Sequence, residues 1–347
     1  MARSEDVARL AGVSRATVSR ALNGSTRVNA ETRARVESAV ASLGYEPDQA
    51  ARNLVGQRSR TIAVGFFANQ MWGLSQLGDP GHYFYLDVLR AIEHETAVAG
   101  YDLLIPSRPD SPASDRYIRG LRSRRVAGVL MVGCPVNDRR IPALLDSGIP
   151  TVFIDAVARG ARATYVKSDN VAGERQLTEY LIALGHRRIA LVTGHTADPA
   201  GGDRLAGFRQ ALAKAGIGED TGLIWQTDWT TVAAYRETLS LLEHGSAATA
   251  ILAESDMMAI GVLRALHERG LKVPGDISVA GFDDINLSAF TTPALTTVHQ
   301  DQAGLGAAAV RVLVDLLAGP ESATEPVVLP IRLVVRDSTG PPRSAPA

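Results

Sequence analysis

The stretch Asp6–Arg20 constrains this chain more than any other. Val7, Leu10 and Ala11 recur at the i, i+3, i+4 spacing of one helix face. Gly12 supplies a left-handed residue to end that helix, and Ser14 a side-chain oxygen to cap the next. Val18, Ala21 and Leu22 form the buried face of a second helix, Ser14–Leu22, whose opposite face presents Arg15, Ala16, Ser19 and Arg20. Two short helices meet at a glycine turn, and the second turns small, polar and cationic groups outward. That pattern fits a helix-turn-helix whose second helix lies in the major groove of DNA. A helical hairpin with a solvated charged face shares the periodicity, so the flanking sequence has to separate the two.

Asn29 is placed to cap a third helix running through Leu43, with Val36, Ala39, Val40 and Leu43 on one side and Gly44 at its end. Tyr45-Glu46-Pro47 breaks the pattern, because proline disfavours helix at the residue before it. Asp48–Leu54 is alanine-rich and too brief for a helix stable by itself. Residues 1–60 hold ten Arg against six acids, a net of +4, so the whole-chain charge of −1 leaves −5 for the remainder. A basic head on an acidic body points to nucleic acid at the head alone.

In this order of motifs the chain resembles the LacI family of bacterial repressors. The residues that carry the likeness are Asp6-Val7-Ala8, Ala11-Gly12-Val13-Ser14, Thr17-Val18-Ser19-Arg20, Leu43-Gly44-Tyr45 with Pro47, and Ala51-Arg52 with Leu54. The resemblance implies double-stranded operator DNA as partner, a homodimer, and a hinge that folds as a helix only when two copies sit side by side on DNA. Leu54 matches the family's leucine that wedges into the minor groove, and Ala51 lies beside it on the same hinge. An apolar wedge kinks the duplex and recovers the cost through wider contact. Without the resemblance, Leu54 reads as a linker residue packing on the core. Arg15, Ala16 and Arg20 are the base-edge candidates, since arginine pairs bidentately with guanine and a methyl meets thymine. Ser14, Thr17, Ser19, Asn23 and Ser25 are assigned to phosphates.

From Thr61 onward, apolar strand candidates alternate with helical patterns. The strands are Ile62–Phe67, Tyr101–Ile105, Gly128–Val132, Pro150–Ile154, Arg188–Val192, Ala250–Ala253, Ile277–Phe282 and Val327–Val335. The helices include Tyr85–Ala99, Val171–Leu184, Arg204–Ala215, Val232–His244 and Asp256–Arg269. Such alternation predicts parallel, doubly wound α/β sheets. The span is long enough for two lobes, and ligands in such sheets sit beyond the strands' carboxyl ends. The layout resembles periplasmic sugar-binding proteins as well as the repressor core. The expected fold is therefore an all-α helix-turn-helix head (1–46), a hinge helix and linker (47–60), and a two-lobed periplasmic-binding-protein-like core (61–340). Within the core, the first lobe is expected near 61–157 and 288–322, the second near 158–287 and 323–340. Residues 341–347 are expected to be a disordered tail, unfit for a tetramerising helix.

Polar residues at the strand ends carry the effector reading. A carboxylate or a guanidinium holds adjacent hydroxyls in pairs, and an indole face covers sugar C–H groups. Asp155, Arg204, Trp229, Ser255 and Asp283 occupy such ends and match family positions that contact sugars. Ser255 departs from the asparagine common there. Asp256 and Asp284 are expected to cap the segments that follow them. The loop at residues 68–82 is long and rich in aromatics; as a wall of the pocket it would add Phe67, Trp72 and Tyr85, and it would serve equally as a surface packing on a partner subunit.

No catalytic, cofactor or metal signature accompanies these residues. The histidines are scattered, and there is no paired Cys/His spacing, Walker loop or nucleophile elbow. No run of eighteen apolar residues suggests a membrane span, and the N-terminus lacks an apolar signal core. The single cysteine, Cys134, fits a reducing cytoplasm. The resulting expectation is a cytoplasmic, non-enzymatic, dimeric repressor whose DNA affinity is set by a small effector of sugar type. An inducer and a corepressor would use the same parts with opposite sign. A transporter's solute-binding protein would explain the lobes without the basic head, and a sugar-modifying enzyme would need Asp155 and Asp283 as a carboxylate pair.

Overall fold

The computed structural model describes residues 2–22, 25–45, 59–66, 83–106, 114–245, 247–319 and 325–343. The chain divides into two units, Met1–Ser59 and Arg60–Ala347. In the first, three helices, α1 (Ser4–Ala11), α2 (Arg15–Leu22) and α3 (Ala30–Leu43), close on Val7, Ala8, Ala11, Val18, Ala21, Val28, Val36 and Ala39. Local chemistry sets each boundary. Asp6 accepts from the Arg3 N–H at 2.9 Å at the start of α1, and Gly12 ends it at φ 65°. Ser14 Oγ accepts from the Thr17 N–H at 3.1 Å, and Asn29 Oδ1 from the Thr32 N–H at 2.8 Å. One expected core position is not buried: Leu10 is 57% exposed, and Ala8 takes its place inside. The helix is only two turns long, and its inner stripe is narrow enough for the alanine side.

The second unit holds two parallel sheets. The first runs in the order β11-β5-β4-β3-β1-β2, made of β1 (Thr61–Phe66), β2 (Asp102–Leu104), β3 (Gly128–Val132), β4 (Thr151–Ile154), β5 (Ala163–Ser168) and β11 (Val327–Leu329). Helices α4 (Tyr83–Val98), α5 (Ser114–Ser123), α6 (Arg140–Ser147) and α11 (Gln302–Ala318) belong to this lobe, with Ile62, Leu130, Val152, Ile92, Leu305 and Leu313 in one shared core. The second sheet, in the order β7-β6-β8-β9, comprises β6 (Ile189–Thr193), β7 (Ile224–Gln226), β8 (Ala250–Ala253) and β9 (Ser278–Ala280). Its helices are α7 (Asn170–Ala183), α8 (Pro199–Lys214), α9 (Thr231–Glu243) and α10 (Asp256–Glu268). A short antiparallel pair, β10 (Thr297–His299) with β12 (Arg332–Val334), lies beside it through the bridges Ala280–Thr296 and Asp283–His299.

The lobe boundaries differ from the sequence expectation. β5 belongs to the first sheet, so the first crossing falls between Ser168 and Asn170 instead of near 157. The second falls between His299 and Gln302, and the third between Leu329 and Arg332, where Pro330 splits the expected single strand 327–335. The segment after β12 is also ordered through residue 343. Ser338 Oγ donates to the Val279 carbonyl at 2.6 Å, and Arg343 pairs with Asp276 at 2.8 Å. Of the expected tail, residues 341–343 follow the second lobe, and 344–347 lie outside the described residues. Within the described residues no helix is long and apolar enough to cross a membrane.

Candidate functional site

The second sheet changes direction between β6 and β8, and the first between β1 and β3, the positions at which ligand clefts form. Arg204 is buried on the first turns of α8. Its Nε donates to Asn170 Oδ1 at 2.9 Å, one terminal nitrogen donates to the Glu254 carbonyl, and the other lies 3.6 Å from Asp283 Oδ1. Its guanidinium also sits 3.9 Å from the Phe282 ring centroid and 5.6 Å from that of Trp229. These contacts fix one edge of the fork.

Asp155 follows β4 at φ 54° and is buried with Oδ1 unpartnered among the described residues. Burial raises its carboxyl to about 6, against the pull of Arg204 and Lys167. Asp283 follows β9 at φ 116°, accepts from Gln300 Nε2 at 2.7 Å, and is pushed by burial to about 8 although Arg204 pulls the other way. Positive φ at both acids is a strained conformation that aims side chains where an ordinary turn would not. Trp229, also at positive φ (67°), donates its indole N–H to Asp198 Oδ2 at 2.9 Å. Tyr85 is half-buried on α4, and the charges of Asp155, Asp198, Arg204 and Asp283 all act on its hydroxyl, which burial raises well above its ordinary value. Asp155, Arg204, Trp229, Asp283 and Tyr85 are therefore gathered at one place.

Ser255 lies at the same strand end but spends its hydroxyl on the Met258 N–H at 3.1 Å, capping α10. That corrects the expected role of Asp256. Its carboxylate instead takes hydrogen bonds from Ser288 Oγ (2.5 Å), Thr297 Oγ1 (2.6 Å) and the Ile285 N–H (2.9 Å). Asp284 is not a cap either: it binds Arg336 at 2.6 Å and His299 at 3.0 Å. Phe67, Trp72, Asn23, Ala51 and Leu54 lie outside the described residues. No local signal marks Asn170, Gln300 or Glu254; each is an ordinary polar residue whose role depends on what the fold brings to it.

Gly194 explains how Trp229 reaches its place. A Cβ on Gly194 would overlap the indole ring, so the backbone of the β6 end serves as the floor beneath it. Gly194→Ala is expected to expel the indole and weaken effector binding about tenfold or more, on the scale of an overpacked core. A tryptophan-emission titration checks it, and unchanged affinity would remove Trp229 from the site.

The buried acids also set a pH dependence. Glu254 and Asp256 are each raised by burial to about 7, alongside Asp155 and Asp283. Groups whose folded pKa is raised contribute stability that is fully present below their unfolded pKa, near 4, and lost as pH rises through about 6 to 8. The unliganded core is expected to melt at lower temperature at about pH 8.5 than at about pH 6, by calorimetry.

On α2 of the head, Ser14, Arg15, Ala16 and Arg20 are exposed, and Thr17 and Ser19 half-buried, as a reading face requires. Arg15 pairs with Glu5 at 2.8 Å, an exposed contact of small energy. Ser25, in the turn before α3, is half-buried.

Residues 5–48 match the model of bacterial regulatory proteins of the lacI family, and residues 178–339 that of a periplasmic binding protein-like domain. The transcriptional regulator CelR of Thermobifida fusca is 36% identical, over 96% of this chain and 97% of its own. The chain belongs to the LacI family. The lactose operon repressor of Escherichia coli K12 is 33% identical over 99% of the chain and 92% of its own length. Among solved structures of LacI-family proteins, the lac repressor dimer bound to operator and the anti-inducer ONPF superposes with a TM-score of 0.84 at 30% identity, covering 98% and 99% of the two chains. The CelR–cellobiose complex gives a TM-score of 0.73 at 32% identity, covering 97% and 100%.

Proposed function

We propose that this LacI-family protein is a transcriptional repressor that binds a near-palindromic operator as a homodimer and leaves it when a sugar occupies the core cleft. The observation that carries the reading is Arg204, held by Asn170, Glu254 and Asp283 beside the unpartnered Asp155 and the indole of Trp229. A fixed guanidinium, a carboxylate with a spare oxygen and an aromatic face are the three elements that recognise adjacent hydroxyls on an apolar ring. The outward face of Ser14–Arg20 supplies the DNA contact, with Arg15, Ala16 and Arg20 toward bases and Ser14, Thr17, Ser19 and Ser25 toward phosphates. On this reading the protein acts in the cytoplasm and has no catalytic activity.

Ligand shifts DNA affinity only as far as it prefers the released state, typically about 1–3 kcal/mol. The likeness to a regulator solved with cellobiose makes that disaccharide the first probe. The test is a DNA titration at fixed salt against the intergenic DNA beside the gene, repeated with cellobiose, ribose and other sugars. Protection of a palindrome that one sugar abolishes supports the proposal. Binding that strengthens with sugar reverses the sign to a corepressor. Sequence-blind binding throughout, with sugar still bound, overturns it in favour of a solute-binding protein, and sugar turnover overturns it in favour of an enzyme.

A further inference from the structure

Two buried acids near Arg204 have carboxyl groups that the reading above leaves unused. Glu174 is on α7, fully buried, and neither of its carboxyl oxygens has a hydrogen-bond partner among the described residues. Glu254 follows β8 and is also fully buried. Its Oε2 accepts from Thr193 Oγ1 at 2.7 Å and from the Gly194 N–H at 3.1 Å, but its Oε1 is unpartnered. The charge of Glu254 raises the Glu174 carboxyl beyond what burial does, and Arg204 pulls both acids the other way. The close approach of α7 to α8 at Gly207, where a Cβ would meet Glu174 Cβ, encloses the pair on that side.

Three buried acceptor oxygens without donors are costly, and two adjacent buried carboxylates cannot both stay charged beside a single guanidinium. One proton eases both problems, because it makes one acid a donor to the other, pairing two of the three oxygens, and removes one charge. We infer that Glu174 and Glu254 share one proton as an acid–carboxylate pair, and that this pair is a positioning element which holds Arg204 and the β6 end under Trp229 in their effector-binding geometry. Glu254 acts on both at once, since its carbonyl takes a guanidinium N–H and its carboxylate takes the Gly194 N–H beneath the indole. A second negative charge at Glu174 would draw the guanidinium inward, away from Asp283. The consequence for ligand rests on the functional reading above; the shared proton does not.

The charged groups around the pair are accounted for from each neighbouring element. Arg204 faces it from α8, whose other charges are taken up elsewhere: Asp203 by Lys167, Arg209 by Glu219 and Lys214 by Glu179. His299 of β10 and Arg332 of β12, strands that α7 also packs against, are engaged by Asp284. Asp283 faces the other terminal nitrogen of Arg204, and Asp155 and Asp256 act on it there.

The test uses the unliganded full-length protein. The infrared difference spectrum of wild type minus Glu174→Gln near neutral pH is expected to show a protonated carboxyl band; a carboxylate band there overturns the pair. The Arg204 Nε–H, protected by Asn170, is followed by nitrogen-15 NMR and assigned by its loss in Arg204→Lys. Beyond the shift caused by Asp283, which titrates beside the same guanidinium in both proteins, wild type is expected to show a further shift as pH rises above neutral that Glu174→Gln lacks. Identical shifts in both proteins overturn the positioning role. With cellobiose as probe, Glu174→Gln, which keeps a donor, should bind within about twofold of wild type, whereas Glu174→Leu should lose about tenfold or more. Equal affinity in the two variants overturns it as well. Failure of any sugar to bind speaks only against the functional reading, because the spectra do not depend on it.

Discussion

Arg204→Ala is expected to yield a protein that still binds operator and no longer responds to its effector. The substitution strips donors from Asn170 Oδ1 and the Glu254 carbonyl and removes the cation beside Asp283. Leaving buried acceptors without their donors costs about 1–3 kcal/mol of stability for each. The loss of fixed contacts to sugar hydroxyls should weaken effector binding about a hundredfold or more, on the scale of a buried anchor residue. The stability deficit should itself depend on pH. Arg204 lowers the carboxyls of Asp155, Asp283 and Glu254 against burial, so its removal raises all three further. Stability held below their unfolded pKa is then lost over a longer climb, and the deficit is expected to be larger at about pH 8 than at about pH 5.5. Calorimetry at the two pH values, beside an operator titration with and without sugar, checks both parts. Arg204→Lys separates charge from geometry, since an ammonium restores the first without the planar fork. A Lys variant that responds to sugar like wild type would mean that charge alone suffices.

The opposite phenotype is expected from Val36→Asp in the head. Val36 is fully buried, and its buried neighbours are alanines and valines from three helices and the turn at Val28, edged by Leu22, Leu43 and Tyr45. So small a core has little surplus stability, and an unpaired carboxylate within it costs several kcal/mol, about what the whole head has to spare. The head should unfold and operator affinity fall by more than about a hundredfold, while sugar binding persists because the core is a separate unit. Retained operator binding would mean that the head draws its stability from elsewhere. Together the two variants assign DNA and effector to different units of one chain.

Much of this was legible in the sequence where local chemistry decides the outcome. The head's caps at Ser14, Asn29, Gly12 and Gly44 are set by side chains within three residues of the ends they terminate, so its helices could be placed closely. The apolar runs of β3 and β8 are bounded as read. The elements that went unread have mixed signals. β5 carries Thr, Lys and Ser on a strand flanked by partners on both sides, and its pairing is what makes it a strand. α11 packs against α4 and against the sheet, and Arg311 and Asp315 are its only charged residues, a weak polar stripe beside a long apolar run. In the cleft, Asp155, Arg204, Trp229 and Asp283 stand out because they are unusual residues at strand ends. Asn170, Glu174, Glu254 and Gln300 carry no such mark; only tertiary contact gives them partners. The exchange of roles between Ser255 and Asp256 has the same origin, for both sit at a helix start and only the buried hydroxyls of Ser288 and Thr297 decide which of them turns inward.

The three crossings impose an order on the birth of the molecule at the ribosome. The first lobe has its sheet from β1 to β5 early, but the helix that covers it, α11, and its edge strand, β11, are translated only after the entire second lobe. The second lobe waits in turn for β12 and the segment through Ser338, which seals Val279 and Thr296. Neither half can finish while the chain is still emerging, and long-range closure of this kind is slow. A nascent chain stalled anywhere before residue 302 would display the bare face of the first sheet, making such truncated products natural clients for chaperones and proteases, while the three-helix head, complete within the first 45 residues, would already be free to touch DNA.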